Sequence, residues 1–205
     1  VLSLGGNGRV RMCASIALLR PGSSVDLKGF SLNGGNCRHD IKTNIQHIAD
    51  GCTSAQIQKN LVSGRATTSF RGRVRVEQSA QQTDSNQLSR TVLLTDTSRA
   101  WSVPSLEIIA DDVKCTHGAT FSDLSEEELF YLRSRGITVR EARNLLMYAF
   151  CNDVISDVPE AIRGPVQTVL DKGDASPSLQ MRILSRLQNL APVGQRAIQG
   201  EFQSI

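Results

Sequence analysis

The chain has 205 residues, enough for one or two domains with a real core, and its 23 Lys or Arg against 20 Asp or Glu give a formal charge of +3. That mild excess admits acidic partners but excludes a dedicated nucleic-acid binder, which needs a concentrated basic face interleaved with aromatics; here there is one Trp, Trp101, and two Tyr. No apolar run approaches the roughly 20 residues of a membrane span, and no basic segment followed by an apolar one marks a signal peptide. The chain opens at Val1 without Met, which points to a processed protein or a fragment. Its cysteines, Cys13, Cys37, Cys52, Cys115 and Cys151, are odd in number and scattered, the pattern of reduced thiols in a reducing compartment and not of a disulfide framework.

Residues 1–121 read as a series of short strands. Candidates are 10–19, 24–33, 40–48, 68–77, 90–95 and 106–115, rich in β-branched residues and punctuated by turn signals at Gly5-Gly6-Asn7-Gly8, Pro21-Gly22 and Gly34-Gly35-Asn36. In 68–77, Arg71, Arg73 and Arg75 share one face while Phe70, Val74 and Val76 share the other. Strands of this kind suit a sandwich or a β-solenoid; solenoid turns of about 20–25 residues would give about five.

The pattern switches at Phe121. Asp123 with Glu126 reads as a capping box opening a helix, with Arg133 and Arg135 in its last turn and Gly136 ending it. A second box, Thr138 with Glu141, opens another helix whose apolar stripe is Ala142, Leu145, Leu146, Ala149 and Phe150, stopping before Pro159. Residues 122–160 are therefore an αα-hairpin. The tail, 161–205, is broken by Gly and Pro and holds one further amphipathic helix near 178–190.

Cys115 and His117 stand two apart. In a strand they project to the same side, placing a thiol beside an imidazole, a pair suited to iron or zinc, though two donors leave a metal site open. His117 reads otherwise as a rim histidine at a turn before Gly118, and Cys115 as a buried small hydrophobe. Cys37-x-His39 repeats the spacing without further support, and His47 reads as an inward packing residue. The chain contains no G-x-x-x-x-G-K-[ST], so it does not bind ATP by that route.

Several segments, in order and spacing, resemble the SufB/SufD family, scaffold proteins of the SUF iron–sulfur cluster assembly machinery. They are Phe70-Arg71-Gly72-Arg73-Val74, Ala80-Gln81-Gln82-Thr83-Asp84, Leu106-Glu107-Ile108, Ala110-Asp111-Asp112-Val113-Lys114-Cys115, His117-Gly118-Ala119-Thr120 and 129–137. The core of the likeness is 66–160, nearer the SufD branch, with weaker similarity back through 40–54 and no recognisable counterpart for the tail beyond about 162. Ile41 and Lys42 stand where the family commonly has His. The resemblance implies a right-handed parallel β-helix followed by a small helical domain. It implies a non-catalytic subunit that pairs with a SufB-like subunit through the β-helices and carries a SufC-like ABC ATPase on the helical domain, with no nucleic acid or membrane as partner. A transient iron–sulfur cluster would form at the interface with SufB; His117 matches a candidate ligand and Cys115 a family cysteine. Tyr131, Arg133, Arg135 and Gly136 fall where the family places the ATPase contact, with Leu129 and Leu132 packing inward. The compartment implied is the plastid stroma or the bacterial cytoplasm. The rival class is a β-helix polysaccharide-acting enzyme, whose carboxylates would have to come from Asp111-Asp112, the one adjacent acid pair assigned to a strand.

Overall fold

The computed structural model describes residues 2–4, 8–156 and 163–164. Nine strands alternate between two parallel sheets: β1 (Leu2–Leu4), β3 (Ser24–Asn33), β5 (Thr53–Val62), β7 (Thr83–Leu93) and β9 (Val113–Ser122) in one, and β2 (Arg9–Leu18), β4 (Arg38–His47), β6 (Thr67–Val76) and β8 (Arg99–Ile108) in the other. Each strand pairs with the one two places on, so the chain coils as a parallel β-solenoid of four turns. Two helices follow, α1 (Glu126–Ser134) and α2 (Val139–Ile155). No described helix is long and apolar enough to cross a membrane.

The turns are longer and fewer than the strand spacing predicts. Arg9 pairs with Arg38, Arg38 with Thr67 and Thr67 with Arg99, steps of 29, 29 and 32 residues. The shorter expected period fails because β5 and most of β7 lack the strand signature: apart from Val62 and Leu93 at their C-terminal ends, their inward residues are Ser54, Gln56, Gln58 and Asn60, then Thr83, Ser85, Gln87, Ser89 and Thr91, all buried and all polar. Alternation is present, but with the polar set inside. The expected strand 106–115 is in fact the end of β8 and the start of β9, separated by a bend over 109–112 in which the Asp112 carbonyl accepts from the Gln82 amide at 2.6 Å.

Corners repeat with the turns. Gly22, Gly51 and Gln82 occupy successive equivalents of one corner, all with positive φ. At another, a Cβ on Gly64 would lie 3.0 Å from the backbone of Gly35, so stacked turns there admit only glycine.

The buried polar residues satisfy one another across and along the lumen. Ser54 Oγ is 2.8 Å from Ser85 Oγ and 2.9 Å from His47 Nε2. Gln87 Nε2 donates to Gln56 Oε1 at 2.8 Å, and Gln56 Nε2 donates to Thr43 Oγ1 on the facing sheet at 2.8 Å. Asn60 Nδ2 donates to Thr91 Oγ1 at 2.9 Å, and Asn33 Nδ2 bonds Thr68 Oγ1. Apolar layers close the rest, with Ile41, Ile45, Phe70, Val74 and Val76 at 2% exposure or less. His47 is inward, as expected. His39 faces the same way and is fully buried.

The hairpin packs on the outer face of the five-stranded sheet. Phe30, Leu32, Leu61 and Val92 project outward there and meet Leu129, Ala142, Met147, Cys151, Val154 and Ile155. The α2 stripe is rotated from the expected one: Leu145 is 49% exposed and Ala149 is also outside, while Met147, Cys151, Val154 and Ile155 are buried. The sheet decides which side of the helix is covered, and Leu146 and Phe150 are only half-buried at its margin. The first cap also differs. Ser125, not Asp123, caps α1, its hydroxyl accepting from the Glu128 amide, while Thr138 and Glu141 form the expected box on α2. An N-cap contributes about 1 kcal/mol, less than burial of a single Met, Val or Ile side chain at about 1.5–3 kcal/mol, so docking and not capping holds the hairpin. The expected helix near 178–190 lies outside the described residues.

One ion pair joins hairpin to solenoid. Lys59 points outward from β5, yet its side chain is 4% exposed beneath α2; Nζ donates to Asp153 Oδ1 and to the Phe150 carbonyl, both at 2.6 Å, and sits 4.8 Å from the Phe150 ring centre. Removing its carboxylate leaves a covered ammonium with one carbonyl acceptor. Asp153→Ala should therefore lower unfolding free energy by about 2–3 kcal/mol by urea denaturation, discounted from a fully buried pair because Asp153 is half in water. Asp84→Ala, whose exposed partner Lys114 is 4.0 Å away, should leave the midpoint unchanged.

The two lumenal histidines make stability pH-dependent. Burial pushes His39 down to about 4 from an ordinary 6.5, against the pull of Asp40, and burial lowers His47 as well. Between those values the unfolded chain holds the proton and the native His39 does not, so stability falls as pH drops from about 6.5 to about 4. The loss attributable to His39 is about 3 kcal/mol across that window. His39→Gln should flatten the dependence in urea midpoints measured at pH 7.5, 6, 5 and 4; an unchanged slope would show that the imidazole is not the titrating group.

Candidate functional site

The last turn has a neighbour on one side only. β8 and β9 are edge strands, each with an unpaired backbone edge among the described residues. In earlier turns the inward residues are covered by the next turn; here they are not. Register carries Ser85 to Cys115, Gln87 to His117, Ser89 to Ala119 and Thr91 to Phe121. Cys115 and His117 thus stand on one face, the lumenal one, as the i, i+2 spacing predicts. Each tops a column of hydrogen-bonded polar residues: His47, Ser54 and Ser85 under Cys115, and Thr43, Gln56 and Gln87 under His117.

His117 is exposed and Cys115 half-buried. The Oε1 of Gln87, one strand below His117, is buried without a partner, as are the hydroxyls of Ser89 and Ser102 nearby. Burial raises the Cys115 pKa, and the carboxylate of Asp84 raises it further against one backbone hydrogen bond from Ser85. The surroundings therefore favour the neutral thiol, and a positive or metallic partner would be needed to make it a thiolate. Among the described residues no group of three or more His, Cys, Asp or Glu can hold a metal ion. The end of the solenoid carries one imidazole and one thiol on one face.

Around them the edge is apolar. Trp101, Val103, Ile108, Ile109 and Phe121 are all between 41% and 55% exposed. Nothing local in the sequence marks this rim: Trp101 and Val103 face outward from β8, Ile108 and Phe121 face inward on the last turn, and only the tertiary arrangement brings them to one edge. Cys37 and His39 do not form a second site. Both are buried, and burial raises the Cys37 thiol while lowering His39, leaving each neutral. Asp111-Asp112 is not on a strand but on the bend before β9, exposed, with Asp111 accepting from Gln78 Nε2 at 3.2 Å. Asp111-Asp112 therefore does not supply a carboxylate pair on a strand face, as the sugar-cleaving reading required.

On the hairpin, Tyr131, Arg133, Arg135 and Gly136 are exposed while Leu129 is buried and Leu132 half-buried, the division expected from the sequence. The Arg135 guanidinium lies 5.1 Å from the Tyr131 ring centre. A shallow groove of about 340 Å³ runs between Glu127, Glu128, Tyr131, Leu132 and Leu146. Phe130 at 72%, Val139 and Leu145 add exposed apolar area that the expected stripe did not anticipate.

A parallel β-solenoid with a helical hairpin on one face is the architecture described above, and comparison with known proteins gives its family. The family described as "SUF system FeS cluster assembly, SufBD core domain" matches residues 2–150, and the chain belongs to this family. Within it the chain sides with SufD. It is 32% identical to the Escherichia coli iron–sulfur cluster assembly protein SufD over 191 residues, 93% of this chain and 41% of that protein. It is 47% identical over 144 residues to the chloroplastic protein ABCI7 of Arabidopsis thaliana, 69% of this chain and 30% of that protein. It is 39% identical over 140 residues to SufD of Plasmodium berghei, 68% of this chain and 10% of that protein. The chain thus spans less than half the length of these relatives. The E. coli match is also too long to end near residue 162, so similarity reaches into the tail, for which the motifs had offered no counterpart.

A consequence for Cys115 is measurable. In a Cys13→Ser background, alkylation of Cys115 by iodoacetamide at pH 8 should be slower than that of a free thiol, and Asp84→Asn should accelerate it by removing the charge that opposes ionisation. Equal rates with and without the Asp84 carboxylate would show that the thiol does not sense it.

Proposed function

We propose that this chain is a non-catalytic scaffold subunit in iron–sulfur cluster assembly, contributing His117, and Cys115 beside it, to a site completed by a SufB-like partner. The observation that supports this reading most is the uncovered last turn: an imidazole and a thiol at the end of a solenoid whose edge strands offer unpaired backbone and an apolar rim. An edge of that kind is a template for a second chain, and interface cores favour such aromatic and aliphatic side chains. The cluster is cargo, not a resident group. The neutral imidazole of His117 offers a nitrogen lone pair to iron or orients a sulfur held by the partner. In this scheme Gln87 Oε1, buried without a partner one strand away, would accept from the imidazole N–H and fix the ring. Cys115 stays a thiol until a partner's charge or iron lowers its pKa.

The hairpin is the docking element for a SufC-like ABC ATPase, through Tyr131, Arg133, Arg135 and the neighbouring groove. In this scheme ATP binds the ATPase alone. Its motion reaches the solenoid through α2 and the Lys59 contact, and a few kcal/mol of differential ATPase contact suffices to bias an open and a closed interface. The complex would work in the plastid stroma or the bacterial cytoplasm, a reading supported by one chloroplastic and one bacterial relative.

The test is co-expression with SufB-like and SufC-like partners, followed by anaerobic cluster assembly read by absorbance. His117→Ala should leave the complex intact on gel filtration and cut cluster yield at least about tenfold, the scale of losing a ligand or its support. Normal assembly by the variant would reduce the chain to a structural subunit.

A further inference from the structure

The outer face of the four-stranded sheet is distinct from the hairpin and meets the solenoid end only along β8, where Trp101 and Val103 also belong to the apolar rim. Its twenty outward positions are the alternate residues of β2, β4, β6 and β8, aligned in five rows by the register. Eight of them are Arg or Lys: Arg9, Arg11, Arg38, Lys42, Arg71, Arg73, Arg75 and Arg99. Two are acidic, Asp40 and Glu107, so one face carries a formal excess of six in a chain whose total is +3.

The acids are already used. Asp40 accepts from Arg9 Nε at 2.8 Å, from Arg38 Nε at 3.4 Å and from Ser69 at 2.8 Å. Glu107 takes Arg73 and, at 2.9 Å, Arg75, which also reaches Glu77 at 2.6 Å. Burial works against the Asp40 charge, but these donors hold its pKa at about 2, so it stays ionised and paired. Arg11, Lys42, Arg71 and Arg99 are left with no ion pair among the described residues. Lys42 and Arg71 are direct register neighbours in the middle row, about 4.8 Å apart across the strands. They line a groove of about 660 Å³ with Cys13, Asn44, Arg73 and Val103, and exposed Trp101 stands one row away.

We infer that this face docks an acidic protein segment. Like charges held side by side on a rigid sheet repel one another, and a carboxylate-bearing partner relieves that repulsion while steering itself to the site. The unpaired cations are spaced among Asn44, Ser15, Ser105, Val103 and Trp101, a mixture that suits a polypeptide with acidic and apolar side chains. A nucleic-acid strand would need successive stacking platforms, and the face has one aromatic.

The full chain should be titrated against a short fluorescein-labelled peptide of Asp, Glu and Leu by anisotropy at low salt. Saturable binding is expected, weakened at least about tenfold by Lys42→Glu with Arg71→Glu and unchanged by Arg90→Glu with Lys114→Glu on the opposite sheet. All four positions are exposed, so circular dichroism melts should coincide and exclude misfolding. The peptide should also slow alkylation of Cys13, an exposed thiol in the groove. No binding, equal weakening by both double variants, or tighter binding of a DNA duplex of the same charge would overturn the inference. So would a dimer of the chain that the Lys42→Glu/Arg71→Glu variant dissolves, which would assign the face to a second copy.

Discussion

In-register stacking of parallel turns is the constraint on which the rest of the molecule depends. Once Arg9 is paired with Arg38 and Ser24 with Thr53, every residue of a turn lies directly over its counterpart one turn before, at the spacing of a backbone ladder. Side chains then interact in columns, and each column must be internally compatible. Ile45 on Val74 and Ile41 on Phe70 are apolar columns; Ser54 on Ser85 and Gln56 on Gln87 are polar ones. A lumen with this much amide and hydroxyl is tolerable because the columns satisfy many of their own donors and acceptors, the exceptions including Gln87 Oε1 and the Ser89 hydroxyl beneath the last strand. The geometry leaves little freedom for change. A Cβ on Gly29 would collide with the Gln58 amide, and one on Gly72 with the Gln87 amide and the Phe70 ring, so small residues on one strand make room for long amides on another.

The same constraint creates the candidate site. Register that buries Gln87 under the following turn exposes His117, because among the described residues no turn follows β9. Nothing about the local conformation of His117 or Cys115 is special. They are ordinary lumenal residues in a strand, and their availability is an end effect of the solenoid. The unpaired Oε1 of Gln87 and the apolar rim have the same origin. A partner that supplies the missing turn would cover the rim, pair the edges and bring its own donors next to the imidazole.

Two faces of the solenoid are specialised in opposite ways. The outer side of the five-stranded sheet is apolar at the C-terminal ends of its strands, where Phe30, Leu32, Leu61 and Val92 accept the hairpin, and Lys59 is drawn under α2 with its charge met by Asp153 and a carbonyl. The outer side of the four-stranded sheet takes no helix among the described residues and is cationic. Three surfaces, an end, a hairpin and a sheet face, therefore differ in chemistry, the end and the sheet face meeting along β8.

How much of this was legible follows from where the information resides. The amino-acid sequence determined the switch from strands to helices at about residue 121, the Thr138–Glu141 cap, the shared face of Arg71, Arg73 and Arg75 and the shared face of Cys115 and His117. All of these depend on residues a few positions apart, where period and capping chemistry are local. Family motifs added the solenoid and its relatives. What tertiary structure alone decided is everything that depends on residues about thirty apart. The turn length was misread because Thr53–Val62 and Thr83–Leu93 place Ser, Gln, Asn and Thr inside, and those side chains become core residues only when a partner from the neighbouring turn or the facing sheet satisfies them. The α2 stripe was rotated because a helix with apolar residues on more than one side is covered where the sheet meets it. The cationic face was invisible because its residues come from four separated strands, and only the register sums their charges on one surface.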